Sequence, residues 1–216
     1  MLVFRALAVV LCLLAAPALA ADQLASVHTG LFGSTEVRAT SLNVLPKWTG
    51  VLARYFDEEK LVDAPCTATV FNRCHLAEWG RFLDSIRGLD RLRQMAEVNR
   101  YMNQKRYVID PVNYGIDDYW ATPLQFLAKN GDCEDYAIAK FFSLRALGFE
   151  NDALRIVIVD DLNLKIPHAI LVVYLDGVPM LLDNQVAQVV RAEAIRHYRP
   201  IYSVNESFWW FHRTNG

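Results

Sequence analysis

Apolar residues recur at a helical period through the first half of the chain. Trp48, Val51, Leu52 and Tyr55 fall three and four apart, as do Leu76, Trp79, Leu83 and Ile86, a run stopped at Gly88. Leu89 through Met102 continues as a third helix. Residues 104–121, KRYVIDPVNYGIDDYWAT, have no clear period and contain Pro111 and Gly115, which predicts a loop-rich crossing. Thr122-Pro123 can cap and start a short helix holding Leu124, Phe126 and Leu127. Ala137, Phe141, Leu144 and Leu147 describe a buried helix from Cys133, with Asp132 as its N-cap and Gly148 as its stop.

The period then changes. LRIVIVD (154–160), HAILVVYL (168–175) and PMLLDN (179–184) are rich in β-formers, and the last two are joined at Asp176-Gly177. VAQVV (186–190) and the aromatic tail from PIYSV to SFWWF supply further strands. Helices first and an antiparallel sheet second predict a single α+β domain, and no repeat or Pro/Gly/Ser-rich linker marks a second one.

The opening MLVFRALAVVLCLLAAPALA holds one charge, Arg5, and ends in the small residues Ala18 and Ala20, the pattern of a secretory signal peptide cut after Ala20. Export removes 20 of 216 residues, Cys12 among them. No later segment is long and apolar enough to span a bilayer, so the mature chain is expected to be soluble and not membrane-spanning. Formal charge moves from −2 to −3 with the loss of Arg5, and no basic stretch suits a phosphate backbone, which excludes nucleic acid as a partner. Of the three remaining cysteines, Cys66 and Cys74 are the local choice for a disulfide in an oxidising compartment, and Cys133 is left over.

Cys133 lies in GDCEDYA, between Asp132 on one side and Glu134 and Asp135 on the other. A helix N-terminus favours a thiolate by about 0.3 to 1 kcal/mol. One carboxylate at about 6 Å, in an effective dielectric near 20, opposes it by roughly 3 kcal/mol. A positive group is therefore expected nearby, either an imidazolium paired with the sulfur or a hard cation held by the acids, and an all-oxygen ligand set suits Ca²⁺.

His168 is the imidazole candidate. A two-residue turn at Asp176-Gly177 pairs 175 with 178, hence 168 with 185 and 170 with 183, which makes His168 and Asp183 diagonal neighbours on one face. Cys133, His168 and Asp183 then read as nucleophile, base and orienting carboxylate. Taken singly, a histidine at a strand start or an Asp-Asn before a bend is more often structural. No CxxC, HExxH, GxGxxG, Walker A loop or G-x-S-x-G competes. The acidic stretch DPVNYGIDD (110–118) does not fit EF-hand spacing and reads as a solvated loop.

GDCEDYAIAKFFSLRALGF, followed by IPHAILVV and LLDNQ, resembles the bacterial transglutaminase-like cysteine peptidases, nearest to their LapG-type periplasmic branch; EVNRYMNQKRYVID and DDYWATPLQFL resemble further stretches of that family. The resemblance runs from about Trp48 to the WWFH near the C-terminus. It implies a transglutaminase-like, papain-like fold and a cysteine endopeptidase with Cys133 as nucleophile, His168 as base and Asp183 as third member. It implies calcium dependence through Asp132, Glu134 and Asp135, to which the residues themselves add Asn151 or Asp152 as a weaker guess. By the same resemblance the protein acts in the periplasm on the N-terminal region of a large repeat adhesin, cut at a double-alanine site, and so promotes biofilm dispersal. An inner-membrane receptor for cyclic di-GMP withholds it by binding through a periplasmic domain. The Cys133 backbone N–H is a natural oxyanion donor, with the Trp120 indole as a second. Two alternatives stay open at this point: a transglutaminase or amidase using the same three residues, and a calcium-dependent binding module without turnover.

Overall fold

The computed structural model describes residues 30–60 and 74–214. The expected signal peptide and Cys66 lie outside the described residues; Cys74 is disulfide-bonded. Among the described residues six α-helices, α1 (Pro46–Glu59), α2 (Cys74–Ile86), α3 (Arg91–Asn103), α4 (Asp110–Asn113), α5 (Pro123–Lys129) and α6 (Cys133–Ala146), pack with a seven-stranded antiparallel sheet. The strands are β1 (Thr35–Ala39), β2 (Leu154–Asp161), β3 (Ile166–Leu175), β4 (Val178–Leu182), β5 (Val190–Arg191), β6 (Tyr198–Val204) and β7 (Trp209–Arg213), in the order β1-β7-β6-β2-β3-β4-β5. The chain is α+β, as the change of period implies.

The central strands are apolar on both faces. Leu154 and Ile156 of β2, Leu171 and Val173 of β3 and Leu182 of β4 join the main core with the helices. The alternate residues Val157, Val159, Ile170, Val172 and Leu181 form a second cluster on the other face, with Leu31 and Tyr198. Helix α6 lies against β2 and β3, and every side chain from Glu134 to Leu144 is buried, so it is a core helix, not an amphipathic one. Trp48 anchors α1 by donating its indole N–H to the Asn205 carbonyl at 2.8 Å.

The structure corrects three sequence expectations. The helix-rich half also contributes β1, an edge strand paired with β7 in the register Thr35↔Arg213 to Ala39↔Trp209. Only Val37 and Ala39 are apolar in it, too few to show a period. VAQVV is not a strand over most of its length, and only Val190 and Arg191 pair with β4. The Val186 and Ala187 carbonyls instead accept the Asn99 side-chain amide at 3.3 and 3.1 Å, which takes them out of any ladder. DPVNYGIDD is not simply a solvated loop: its first residues form α4, and Asp110 is completely buried.

Candidate active site

Helix α6 begins in a knot of carboxylates. Asp135 accepts the Ala121 backbone N–H at 2.7 Å through Oδ1 and the Asp132 N–H at 3.3 Å through Oδ2, so both its oxygens tie chain segments to the helix start. Gly131 makes room for this, because a Cβ there would overlap the Asp135 carboxylate. Asp132 occupies the N-cap position, but its Oδ2 accepts the Asp110 N–H at 3.3 Å. Asp110 in turn accepts the Tyr119 N–H through Oδ2 at 2.5 Å.

What remains is a set of oxygens without donors. Asp110 Oδ1 and Asp132 Oδ1 are buried with no hydrogen-bond partner among the described residues. Asp110, Asp132 and Glu134 each offer one oxygen, and these lie within 4.8 Å of one another. Oxygens that share a calcium ion at 2.3–2.6 Å fall within such a separation. Burial pushes Asp110 up to about 6 and Glu134 up to about 9, with the charges of Asp132 and Asp135 adding to the Glu134 shift. Burial also raises Asp132, and Asp135 well above the ordinary carboxylate range. Acids so placed either hold protons or hold a cation.

Cys133, the first residue of α6, is a free thiol. Its S–H donates to Glu134 Oε2 at 3.2 Å, and the backbone N–H of Ala169 is near enough to favour the thiolate. The sheet explains that contact. Pairing of β3 with β4 ends at Leu171↔Leu182, so β3 from Ile166 to Ile170 has no β4 partner, and α6 packs against β3. Burial first, then the Glu134 charge, pushes the thiol far above its usual range.

The β3-β4 hairpin has the expected register. Asp176 and Gly177 both have positive φ, 51° and 80°, and Leu175 pairs with Val178. His168 Nε2 lies 2.9 Å from Asp183 Oδ1. Asp183 accepts further bonds from the Gln185 N–H at 2.9 Å and the Tyr198 hydroxyl at 2.7 Å. Burial alone would raise its carboxyl; the His168, Gln185 and Tyr198 donors outweigh that and hold it below its ordinary value. A carboxylate at Nε2 makes that nitrogen the protonated one, which leaves the Nδ1 lone pair free to take a proton. The Gln185 side-chain amide faces Nδ1 at 3.5 Å.

The structure thus brings His168 and Asp183 into contact and sets the Cys133 sulfur against the residue following His168. It gives Asp135 a tying role and puts Asp110 in the acid cluster beside Asp132 and Glu134. Sequence reasoning missed Asp110, whose signal was an acid before a proline at a helix start, and it missed Tyr198 and Gln185, which lie outside any local motif. Asn151 and Asp152 stand beyond the far end of α6, roughly 20 Å along a 14-residue helix from its start. Asn151 there accepts the Glu206 N–H at 3.0 Å, so neither residue belongs to the cluster. Trp120 is buried; its carbonyl accepts Arg54, and its indole N–H bonds no protein group among the described residues.

The sequence profile of a family described as "Bacterial transglutaminase-like cysteine proteinase BTLCP" matches residues 71–212. The chain belongs to that family. Among solved structures, this transglutaminase-like cysteine proteinase is similar to calcium-bound LapG of Legionella pneumophila, at 33% identity and a TM-score of 0.62, covering 75% of this chain and 90% of LapG. It is also similar to EGTA-treated LapG from the same organism, at 29% identity and a TM-score of 0.61, covering 82% of this chain and 90% of that one. No curated protein sequence matches it. The family and the likeness to LapG make this chain a cysteine peptidase with a transglutaminase-like fold.

Proposed function

We propose that this proteinase is a calcium-dependent endopeptidase of the periplasm that cuts the N-terminal region of a large repeat adhesin at a double-alanine site and so promotes biofilm dispersal. In this reading an inner-membrane cyclic di-GMP receptor holds it in check. The observation that supports the chemistry is the His168 imidazole held at Nε2 by Asp183, on the strand whose Ala169 N–H favours the thiolate of the helix-start Cys133. The substrate and receptor rest on the family resemblance, and the compartment on that resemblance together with the signal-peptide pattern of residues 1–20. Among the described residues no helix is long and apolar enough to cross a membrane.

Asp110, Asp132 and Glu134 would hold the calcium, with Asp135 bracing the helix start behind them, and a dication there supplies the positive charge that lets Cys133 ionise among acids. His168 Nδ1 takes the thiol proton, and the sulfur attacks the scissile carbonyl carbon. The oxyanion accepts the Cys133 backbone N–H and the Trp120 indole N–H. His168 returns its proton to the leaving amine, which departs and leaves a thioester on Cys133. Water then attacks the thioester carbonyl, giving its proton to His168, and the acyl fragment leaves as a carboxylic acid while the thiol is re-formed. Asp183 holds the ring in the tautomer both steps require.

Exposed apolar side chains on segments that lead into the site residues suit a protein substrate. Tyr107, Ile109 and Val112 are exposed on the segment before and within α4, and Leu162, Leu164 and Ile166 on the segment leading into β3. The test is incubation of an adhesin N-terminal fragment with wild type and Cys133→Ala, with an amine donor and a glutamine peptide alongside. Cleavage by wild type alone supports the proposal. Consumption of the amine donor without cleavage would replace it with a transglutaminase, and processing by Cys133→Ala would remove the cysteine from the chemistry.

A further inference from the structure

Trp120, the second oxyanion donor of the reaction above, stands on a stretch of chain gripped from two sides. On the side of the acid cluster, Asp110 accepts the Tyr119 N–H at 2.5 Å and Asp135 accepts the Ala121 N–H at 2.7 Å. The backbone N–H groups before and after Trp120 therefore both bind carboxylates. On the other side lies α1. Lys47, Arg54 and Glu58 share one face of that helix, and each holds one residue of the stretch. Lys47 pairs with Asp118, Arg54 donates to the Trp120 carbonyl at 2.5 Å, and Glu58 accepts the Thr122 hydroxyl at 2.8 Å.

The Trp120 carbonyl and the Ala121 N–H belong to one planar peptide group. Arg54 holds one edge of that plane and Asp135 the other, which fixes its tilt and with it the direction in which the Trp120 side chain leaves the backbone. The guanidinium also lies over the Tyr119 ring, 4.9 Å from its centroid. Its Nε is buried with no hydrogen-bond partner among the described residues. A buried N–H without an acceptor costs stability, so the fold alone does not account for an arginine at this position.

We infer that Arg54 is a positioning residue: by holding the Trp120 carbonyl opposite Asp135, it aims the Trp120 indole N–H at the oxyanion. Lys47 and Glu58 hold the ends of the stretch and Arg54 its centre. Helix α1 thus serves the reaction although none of its side chains takes part in the chemistry.

The inference rests on the endopeptidase reading for its kinetic arm but not for its spectroscopic one. Arg54→Met keeps an unbranched apolar stem and removes the bond to the Trp120 carbonyl. The expected result is a kcat lowered about tenfold with KM within about twofold, and a shifted or broadened Trp120 indole N–H resonance. That resonance is assigned by its loss in Trp120→Phe, and the other four indole resonances should stay in place. Arg54→Lys, which returns a donor, should recover part of the loss. Added to Trp120→Phe, Arg54→Met should lower kcat by less than about twofold, because the donor it would misplace is already gone. Wild-type kcat or an unmoved Trp120 resonance in Arg54→Met would overturn the inference, as would losses that multiply in full in the double variant. Wild-type kcat in Trp120→Phe would do the same, taking the indole away from the oxyanion while leaving the endopeptidase reading in place. If Arg54→Met does not fold, Arg54→Gln is held to the same criteria, and failure of both to fold makes Arg54 a folding residue and ends the proposal. If wild type cuts no adhesin fragment, the substrate reading fails while the resonance still decides the role of Arg54.

Discussion

Two charged clusters are buried in this proteinase, and they are compensated in opposite ways. At the β1 edge of the sheet, Glu36 pairs with Arg155 at 2.7 Å and accepts the Leu31 N–H at 3.0 Å. Arg155 stacks on Trp210 at 3.9 Å, and His212 sits between the Ser34 and Ser203 hydroxyls, each at 2.9 Å. Every negative charge there has a protein partner. At the start of α6, Asp110, Asp132 and Glu134 face one another with no Lys, Arg or His side chain hydrogen-bonded to them among the described residues. A buried charge that the fold itself compensates serves the fold; one left uncompensated is kept for something the fold does not contain. The contrast points to the α6 end as the place where an ion controls activity and to the β1 end as architecture.

The largest effect should come from breaking the acid cluster. Asp132→Asn and Glu134→Gln are each expected to cut peptidase activity at least about a hundredfold, as chelation by EGTA should in wild type, with recovery on added Ca²⁺ in wild type only. A bound ion at about a hundredfold over its Kd also stabilises the fold by about 2.7 kcal/mol. Calcium should therefore raise the Tm of wild type and not that of Asp132→Asn. Full activity of wild type in excess EGTA would end the comparison, since the acids would then be no more than a protonated structural knot.

At the other end the prediction is the reverse. Arg155→Met leaves Glu36 buried without its cation, which should cost about 3 kcal/mol of stability by denaturant unfolding. The calcium midpoint and the kcat of the folded fraction should not move. A shifted calcium midpoint would show that the two clusters are coupled through β2, the strand that carries Arg155.

Acid and base should act on the two ends with opposite sign. Glu134, raised to about 9 without an ion, binds a proton that the unfolded chain has already released above about 4.5. Its contribution to calcium-free stability should then fall as pH rises through that window, by up to about 1.4 kcal/mol per pH unit for one proton. Burial pulls His212 down to about 4, so it is neutral in the fold where the unfolded chain is protonated. That contribution is present above about 6.5 and is lost as pH falls toward 4. Glu36 is also lowered, so its contribution too is lost on acidification. Burial lowers Lys140 to about 7, which adds a slope of opposite sign above that pH, so the acid cluster is isolated by difference: between pH 6.5 and 9 in EGTA, wild type should lose stability relative to Glu134→Gln, and Ca²⁺ should remove that pH-dependent difference. Parallel profiles for wild type and Glu134→Gln in EGTA would mean that Glu134 is not protonated in the fold.

The same contrast separates what could be read along the chain from what could not. The hairpin that joins His168 to Asp183 is legible because a two-residue Asp-Gly turn sets a register, and register is arithmetic. Cys133 at a helix start among acids is legible because it is local. Asp110 is not, because its membership depends on α4 folding back 22 residues before Asp132. Nor is β1, whose hold on the sheet runs through Glu36 and Arg155, 119 residues apart. Tyr198 reaches Asp183 from a strand two places away in the sheet from β3. The positions lost are the ones whose role is set by a long-range partner and leaves no mark on the local period.

The smallest test is the most selective. Ser34→Ala removes two neutral hydrogen bonds, the one to His212 Nδ1 at 2.9 Å and the one Ser34 donates to the Leu31 carbonyl at 2.8 Å, a change of about 1 to 2 kcal/mol. Ser34 lies on the segment leading into β1; the Leu31 carbonyl keeps the Ser34 N–H at 3.1 Å, and the Ser203–His212 and Glu36–Arg155 contacts are untouched. The expected outcome is a Tm lowered by a few degrees with kcat, KM and the calcium midpoint all at wild-type values. A change in the calcium midpoint from so slight a lesion would mean that the β1 edge and the α6 start share one cooperative unit, and the assignment of one cluster to architecture and the other to control would collapse.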